Sequence, residues 1–130
     1  MVECEVYDKV MSMREAVKKF IRDGLEVASG NFLHGVPYAV IHEVIRQRRR
    51  NLTFWVQSAI DEVDLLLAGG CVSRVVTSYS HKAYGMQTEL DRALMEGRVE
   101  VEDYTNFTFL ARFKAGAMGY PVSYTHLTLP

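Results

Sequence analysis

The sequence predicts an α/β domain in which helices cover both faces of a mainly parallel sheet. Along its 130 residues, apolar side chains at helical spacing alternate with short runs rich in β-branched and aromatic residues. Glycine or asparagine follows most of the helical segments, as expected where a helix ends. Strands that are joined through helices pair in parallel by right-handed crossovers, and such a sheet is buried on both faces.

The first helix and strand are predicted from a capping pattern and an apolar stripe. Ser12 followed by Glu15 is typical of a capping box, and Gly24 is a stop signal for a helix over residues 12–22. The stripe consists of Met13, Ala16, Val17, Phe20 and Ile21. Leu25 to Ala28 is then a short strand candidate.

The second helix begins at Pro37, because the fixed φ of proline suits a first helical position. Its buried stripe is predicted to be Tyr38, Ile41, Val44 and Ile45. Asn51 ends this segment, and the β-branched and aromatic residues 52–56 favour a strand.

The alternation continues to about residue 117. Helices are predicted at 61–68, 88–96 and 105–117, and strands at 72–78 and 99–101. Gly69 and Gly97 follow the first two of these helices as stop signals. In the last helix, Phe109, Leu110 and Phe113 are expected to point inward.

Composition and charge exclude several classes of protein. With 15 basic and 16 acidic residues the net charge is −1, which gives no electrostatic basis for binding nucleic acid or an anionic membrane. Cys4 and Cys71 are far apart and lack CxxC spacing, so we expect neither zinc nor a disulfide. The first twenty residues are charged throughout, unlike a secretory leader, and no apolar run reaches membrane-spanning length. We therefore expect a soluble cytoplasmic domain.

The domain is expected to cover residues 1–121. Residues 122–130 break the alternating pattern, and we expect this tail to be non-native. A sheet that ended here would keep an open edge, so we expect the chain to be a fragment of a longer subunit.

The segment from Asp23 to Pro37 carries the strongest functional signal. It combines a helix stop, a short strand, a loop of small residues and a proline that opens the next helix. Such a loop exposes backbone N–H groups of Gly30, Asn31 and Phe32 at the carboxyl end of a strand. These donors suit an anionic oxygen or a thioester carbonyl.

This segment resembles the first signature of the family I coenzyme A transferases: Asp-Gly, two free positions, three apolar residues, Gly-Gly-Phe, a short spacer and Gly-x-Pro. The chain departs from it at Ser29, at Asn31 in place of the second glycine, and by a spacer one residue shorter. The likeness extends from about Lys9 to Pro121 and is nearest to the alpha (A-type) subunit of glutaconate and 3-oxoacid types. Further matching pieces are Lys9–Ser12, Pro37–Ala39, Ile45–Gln47, Asn51–Thr53, Ser78–Tyr79, Glu102–Tyr104 and Arg112–Pro121.

The resemblance implies a two-step transfer of CoA between an acyl-CoA and a carboxylic acid. A glutamate forms an acyl-glutamyl anhydride and then a glutamyl-CoA thioester. That glutamate belongs to the beta (B-type) subunit of the enzyme, and its motif is not found in this chain. The implied partner is therefore the beta subunit, with CoA as a substrate and no metal or dissociable cofactor.

The resemblance also implies a set of site residues in this chain. Backbone N–H groups of Gly30, Asn31 and Phe32 are candidates for holding the oxyanion. Asn106 falls where the family places an amide side chain, commonly glutamine, for the same purpose. Gln57 and Ser58 stand at the family's asparagine-rich position at the end of the second strand, where they would orient the acyl group.

Each of these residues also has a purely structural interpretation. Gly30 suits a tight turn through its backbone freedom, Asn106 suits a local cap at a helix start, and Gln57 and Ser58 suit the polar end of a strand. Two other functions stay open for the whole chain. The first is that of an α/β domain that binds a sugar phosphate or senses a ligand without catalysis. The second is that the chain is an inactive relic.

Charged residues elsewhere are assigned to the surface. His42 and Glu43 are expected on an exposed helix face. Asp61, Glu62 and Asp64 are expected to form a charged helix face and not a metal cluster, since no further ligand has suitable spacing. The basic run from Arg46 to Arg50 forms either an anion-binding patch or the cationic complement of a helix end.

Overall fold

The computed structural model describes residues 10–30, 35–80 and 86–119. Within them five helices alternate with four strands, and every predicted element is present. The bounds differ by two residues at most, except that α2 ends at Arg46, well before Asn51. The elements are α1 (Met13–Phe20), β1 (Glu26–Ser29), α2 (Tyr38–Arg46), β2 (Leu52–Ser58), α3 (Asp61–Ala68), β3 (Val72–Tyr79), α4 (Glu89–Met95), β4 (Glu100–Asp103) and α5 (Asn106–Met118). The predicted tail at 122–130 lies outside the described residues and stays a prediction.

The four strands form one parallel sheet in the order β1-β2-β3-β4. Ser29 lies opposite Val56, Val56 opposite Thr77, and Thr77 opposite Asp103. The carboxyl ends of all four strands therefore meet at one edge of the sheet. In open parallel sheets this edge is where ligands bind.

Helices α1 to α4 pack on one face of the sheet and enclose the main core. On β2 the residues Leu52, Phe54 and Val56 point into this core, whereas the residues between them are half-buried on the other face. The helices contribute Val17, Ile41, Val44, Val63, Leu66, Leu67, Leu90 and Ala93. Only Val17 of the predicted stripe on α1 is fully buried. Met13 and Phe20 are 41% and 60% exposed. On α2 Ile41 and Val44 are buried as predicted, whereas Tyr38 is 41% exposed, so its predicted burial was wrong.

Helix α5 lies on the opposite face, as predicted for a sheet covered on both sides. Phe109 is buried there, with its ring centroid 6.2 Å from that of Trp55. Phe113 also faces the sheet, with its ring centroid 5.7 Å from that of Trp55, although it is 44% exposed. Leu110 is 56% exposed, so its predicted inward position was wrong. Phe113 stays partly exposed because α5 leaves the β1 side of this face open. A groove of about 580 Å³ lies there between Glu26 and the helix.

Two carboxylates that were predicted to be exposed are buried. Glu43 is 4% exposed and accepts hydrogen bonds from Arg46 and from Gln47 Nε2. The hydrogen bond from Gln47 is the main cause that lowers the pKa of Glu43. Glu62, on the first turn of α3, is 2% exposed. Sequence spacing alone did not distinguish these positions from a solvated face.

Arg50 accounts for part of the basic run. Its guanidinium group donates to the carbonyl oxygens of Gly69 and Gly70, at 3.2 Å and 2.6 Å, beyond the carboxyl end of α3. The backbone N–H of Arg50 is held in turn by Asp23 Oδ1 at 2.9 Å. The Arg50 guanidinium group therefore complements the negative carboxyl end of α3, and not that of α2, the helix that precedes it in the chain.

Candidate functional site

Three elements bring polar side chains together at the carboxyl edge of the sheet. Gln57 is the penultimate residue of β2, Ser78 is the penultimate residue of β3, and Asn106 begins α5 directly after β4. Strand alternation places Gln57 and Ser78 on the α5 face, since the core-facing residues of β2 and β3 are their neighbours. We call these three residues the strand-end cluster.

The strand-end cluster is joined by hydrogen bonds. Ser78 Oγ lies 2.7 Å from Asn106 Oδ1, and Gln57 Nε2 lies 3.4 Å from the same oxygen. Ser78 Oγ also lies 2.9 Å from the backbone carbonyl oxygen of Gln57. The structure therefore unites two of the residues singled out in the sequence, Gln57 and Asn106, with Ser78, to which no role had been assigned.

Asn106 is free to reach across the sheet because another residue caps its helix. Thr105 is the N-cap of α5, and its hydroxyl accepts a hydrogen bond from the Thr108 backbone N–H at 3.1 Å. The backbone N–H of Tyr104 is anchored on the Thr77 carbonyl oxygen at 2.9 Å. The Asn106 side chain therefore does not cap its own helix.

Ser58 lies apart from the strand-end cluster. It follows Gln57 on β2 and so points to the opposite face, where it is 1% exposed. Its hydroxyl oxygen is buried and has no hydrogen-bond partner among the residues that the structure describes. Burying a hydroxyl without a partner costs about 1–3 kcal/mol. The structure does not bring Ser58 to the other candidates.

The predicted backbone donors are described only at Gly30. Its φ lies outside the left-handed region, and an added Cβ would meet no described atom within 4 Å. Neither backbone strain nor close packing among the described residues explains a glycine at this position. Asn31 and Phe32 lie outside the described residues.

A second polar network supports the turn that carries Asn106. Glu102 on β4 accepts hydrogen bonds from Tyr104, from Arg74 and, at 2.7 Å, from Arg112 Nη1 on α5. The hydrogen bond from Tyr104 is the main cause that lowers the pKa of Glu102, with the two arginines adding to it. Burial raises the pKa of Tyr104, and Glu102 adds to that effect. These contacts fasten both ends of the β4–α5 turn.

The sequence analysis quoted Glu102, Tyr104 and Arg112 without a role. Their contacts run from a strand end to the second turn of the next helix, and no helical or strand periodicity marks such a spacing. Ser78 was missed for a similar reason. A serine at a strand end is common, and only the parallel register reveals that it meets Asn106.

Other chemistries have little support in the described part of the chain. No group of three His, Cys, Asp or Glu side chains there is arranged to hold a metal ion. Cys71 is fully buried, and burial raises the pKa of its thiol. None of the described helices is both long enough and apolar enough to cross a membrane.

A parallel sheet with polar side chains at its carboxyl edge is an arrangement with which many α/β proteins bind ligands. The family model described as "Coenzyme A transferase" matches residues 10–130. The chain belongs to the coenzyme A transferase family, and its resemblance to that family is thereby confirmed.

Two relatives show how similar in sequence the chain is to other proteins and how much of their length it covers. A protein of Archaeoglobus fulgidus with no characterised function is 41% identical over 90% of this chain and 27% of its own length. The A-type subunit of the 3-oxoadipate CoA-transferase of Pseudomonas knackmussii is 32% identical over 87% of this chain and 42% of its own length. The chain thus spans less than half the length of either relative.

Solved structures share the fold. The crystal structure of glutaconate coenzyme A-transferase from Acidaminococcus fermentans matches 88% of this chain and 37% of that chain, with 26% identity and a TM-score of 0.78. The crystal structure of a single-residue variant of the decarboxylase AibA/AibB matches 85% of this chain and 44% of that chain, with 28% identity and a TM-score of 0.76. The predicted fold class is confirmed.

Proposed function

We propose that this chain is part of the alpha subunit of a CoA transferase, which moves CoA from an acyl-CoA to a carboxylic acid by way of a glutamate on the beta subunit. Relatives that are named as A-type subunits of CoA transferases support this assignment. The observation that carries the proposal is the position of the Asn106 amide, which is tied to the ends of β2 and β3 at the ligand-binding edge of the sheet.

The chemistry defines what this half of the site has to supply. Attack of the partner's carboxylate on the thioester carbonyl carbon forms a C–O bond and moves an electron pair onto the carbonyl oxygen. Donors that are already in place stabilise this oxyanion, and each contributes about 3–4 kcal/mol to the barrier reduction. Asn106 Nδ2 and the backbone N–H groups of Gly30, Asn31 and Phe32 are the proposed donors.

The remaining steps need no further group from this chain. Collapse of the oxyanion breaks the C–S bond and releases the CoA thiolate, which leaves an acyl-glutamyl anhydride. The thiolate then attacks the glutamyl carbonyl, releases the acyl carboxylate and forms the glutamyl-CoA thioester. A second carboxylic acid takes the CoA by the reverse sequence. Exclusion of water at the interface between the two subunits protects the anhydride.

Decarboxylation is the second candidate, because the AibA/AibB decarboxylase shares this fold over most of the chain. The phosphosugar-binding alternative has no comparable support, since the family match favours CoA chemistry. A cytoplasmic location and the exclusion of nucleic acid and membrane partners stay predictions.

Co-purification followed by mass spectrometry tests the proposal. The chain is co-expressed with a beta subunit of the same family, and the complex is incubated with a panel of acyl-CoA compounds. We expect CoA to be attached to one glutamate of the beta subunit, from which it leaves when a carboxylic acid is added. Release of carbon dioxide without a thioester would favour the decarboxylase. If the two chains neither associate nor form a thioester, the proposal is wrong.

A further inference from the structure

The strand-end cluster defines which end of the Asn106 amide is engaged. Two groups that carry hydrogen-bond donors, the Ser78 hydroxyl and Gln57 Nε2, converge on Asn106 Oδ1 at 2.7 Å and 3.4 Å. Among the described residues, Asn106 Nδ2 donates to no partner. Because the oxygen and nitrogen of a planar amide point in different directions, the two Nδ2 hydrogens are turned away from Gln57 and Ser78.

The Ser78 hydroxyl makes the shortest contact to the Asn106 amide. A serine hydroxyl has one proton and therefore donates to one acceptor at a time. The two acceptors nearby are Asn106 Oδ1 at 2.7 Å and the Gln57 carbonyl oxygen at 2.9 Å, and the shorter contact is the one to Asn106. The hydroxyl of Thr77 lies 3.3 Å from the same Gln57 oxygen and 3.0 Å from the Tyr79 carbonyl oxygen.

The opposite orientation of the amide would reverse its electrostatic effect. Rotating the Asn106 amide by half a turn would set Nδ2 against Gln57 Nε2, donor facing donor, and would direct Oδ1 away from the sheet. A carbonyl oxygen directed at a developing oxyanion repels it, whereas an N–H group attracts it. Gln57 Nε2, which only donates, therefore selects the productive orientation, while the Ser78 hydroxyl, which makes the shortest contact to the amide, fixes the place of the amide.

We propose that Ser78 is a positioning residue, which fixes the place of the Asn106 amide while Gln57 keeps the amide N–H groups directed toward the thioester oxygen of the bound acyl-CoA. This role rests on the proposed function, because it gives the orientation of Asn106 a catalytic consequence. Ser78 itself does not touch the reacting atoms.

A double-mutant cycle in the complex with the beta subunit tests the role. Asn106→Ala should slow formation of the glutamyl-CoA thioester by about 100-fold or more, as for loss of one oxyanion donor. Ser78→Ala should slow it by about tenfold with the KM for acyl-CoA nearly unchanged, the scale of one lost hydrogen bond. The double variant should be no slower than Asn106→Ala alone, because Ser78 acts through Asn106.

Two further variants separate positioning from folding. Ser78→Thr keeps the hydroxyl and should restore most of the rate. Ser73→Ala removes an exposed hydroxyl from the same strand and should leave the rate unchanged. If the losses from Ser78→Ala and Asn106→Ala multiply in the double variant of an active complex, the proposed role is wrong.

An NMR measurement on the chain itself tests the same contact without turnover. The side-chain amide signals of Asn106 are identified by their absence in Asn106→Ala. We expect them to shift and to report faster motion in Ser78→Ala, but not in Ser78→Thr or Ser73→Ala. Unchanged signals in Ser78→Ala overturn the role of Ser78 alone, whereas absence of transfer by the unsubstituted complex overturns the proposed function.

Discussion

The guanidinium group of Arg112 lies over the indole ring of Trp55, with 4.9 Å between its Cζ atom and the ring centroid. This contact joins the middle of α5 to the central strand β2, and the ring of Tyr104 flanks the same guanidinium at 4.9 Å. Because α5 also carries Asn106 at its first position, the stack helps to hold the proposed oxyanion donor in place.

Arg112→Ala should loosen α5 without unfolding the sheet. A cation–π contact at a partly exposed site contributes about 0.5–1 kcal/mol, and the ion pair of Arg112 with Glu102 adds to it, so we expect the free energy of unfolding to fall by about 1 kcal/mol or more. Trp55 is the only tryptophan in the chain, so its fluorescence reports directly on this contact. Lys114→Ala, on the exposed part of the same helix, is the matched control and should change neither quantity.

Phe109 and Leu110 provide a direct test of which side of α5 faces the sheet. Phe109 is 4% exposed, whereas Leu110 is 56% exposed. Phe109→Ala should lower the free energy of unfolding by about 3–5 kcal/mol, and Leu110→Ala should change it by about 0.5 kcal/mol or less. Urea denaturation of both variants checks this. Equal losses would mean that α5 is rotated from the position described.

An added methyl group should lower the stability of the fold at one of two glycines near β1 and leave it nearly unchanged at the other. Gly24 has a φ of +76°, which is strained for any residue with a Cβ, so Gly24→Ala should cost about 1 kcal/mol of stability. Gly30→Ala should leave stability nearly unchanged, since its Cβ would meet no described atom. If Gly30 lies at the oxyanion, the same variant should slow thioester formation in the complex with the beta subunit. A Gly30→Ala variant with full activity would remove Gly30 from the proposed site.

Glu102 should account for part of the stability that the fold loses at low pH. Its pKa is lowered in the folded chain, chiefly by the hydrogen bond from Tyr104. Such a carboxyl stabilises the fold above the ordinary glutamate pKa of about 4.3, and the stabilisation is lost as the pH falls through the lower folded value. Glu102→Gln should therefore be less stable than the unsubstituted chain at pH 7, and the difference should shrink toward pH 3.

Urea midpoints at several pH values measure this difference. Glu100→Gln, an exposed residue on the same strand, is the control and should show a far smaller dependence. A difference for Glu102→Gln that is constant from pH 7 to pH 3 would contradict the assignment.

The order of the helices and strands was predictable because the sequence signals for them are local. Ser12 and Glu15 form the predicted capping box, and Gly97 adopts the positive φ expected of a glycine that ends a helix. Gly24 also has a positive φ, but it lies in the turn after α1, which already ends at Phe20 with Ile21 as its C-cap. Parallel pairing followed from the alternation of helices and strands. The burial of Glu43 was not predictable, because it depends on Gln47 and on the contact of Gln47 with the Arg14 carbonyl oxygen of α1.

The candidate site was predicted only in part for the same physical reason. Gln57 and Asn106 came from the family likeness, and the structure brings them together. Ser58 was grouped with Gln57 although neighbouring residues of a strand face opposite sides of the sheet. Ser78 needed the register of β3 against β2, and no sequence pattern supplies a register between two strands that are separated by a helix.

The most direct test of the central claim is the single-turnover rate at which the complex with the beta subunit forms the glutamyl-CoA thioester, compared between the unsubstituted chain and Asn106→Ala. We predict that the variant binds acyl-CoA and its partner chain normally and forms the same thioester about 100-fold or more slowly. An unchanged rate would contradict the claim that this chain supplies an oxyanion donor to a nucleophile on its partner.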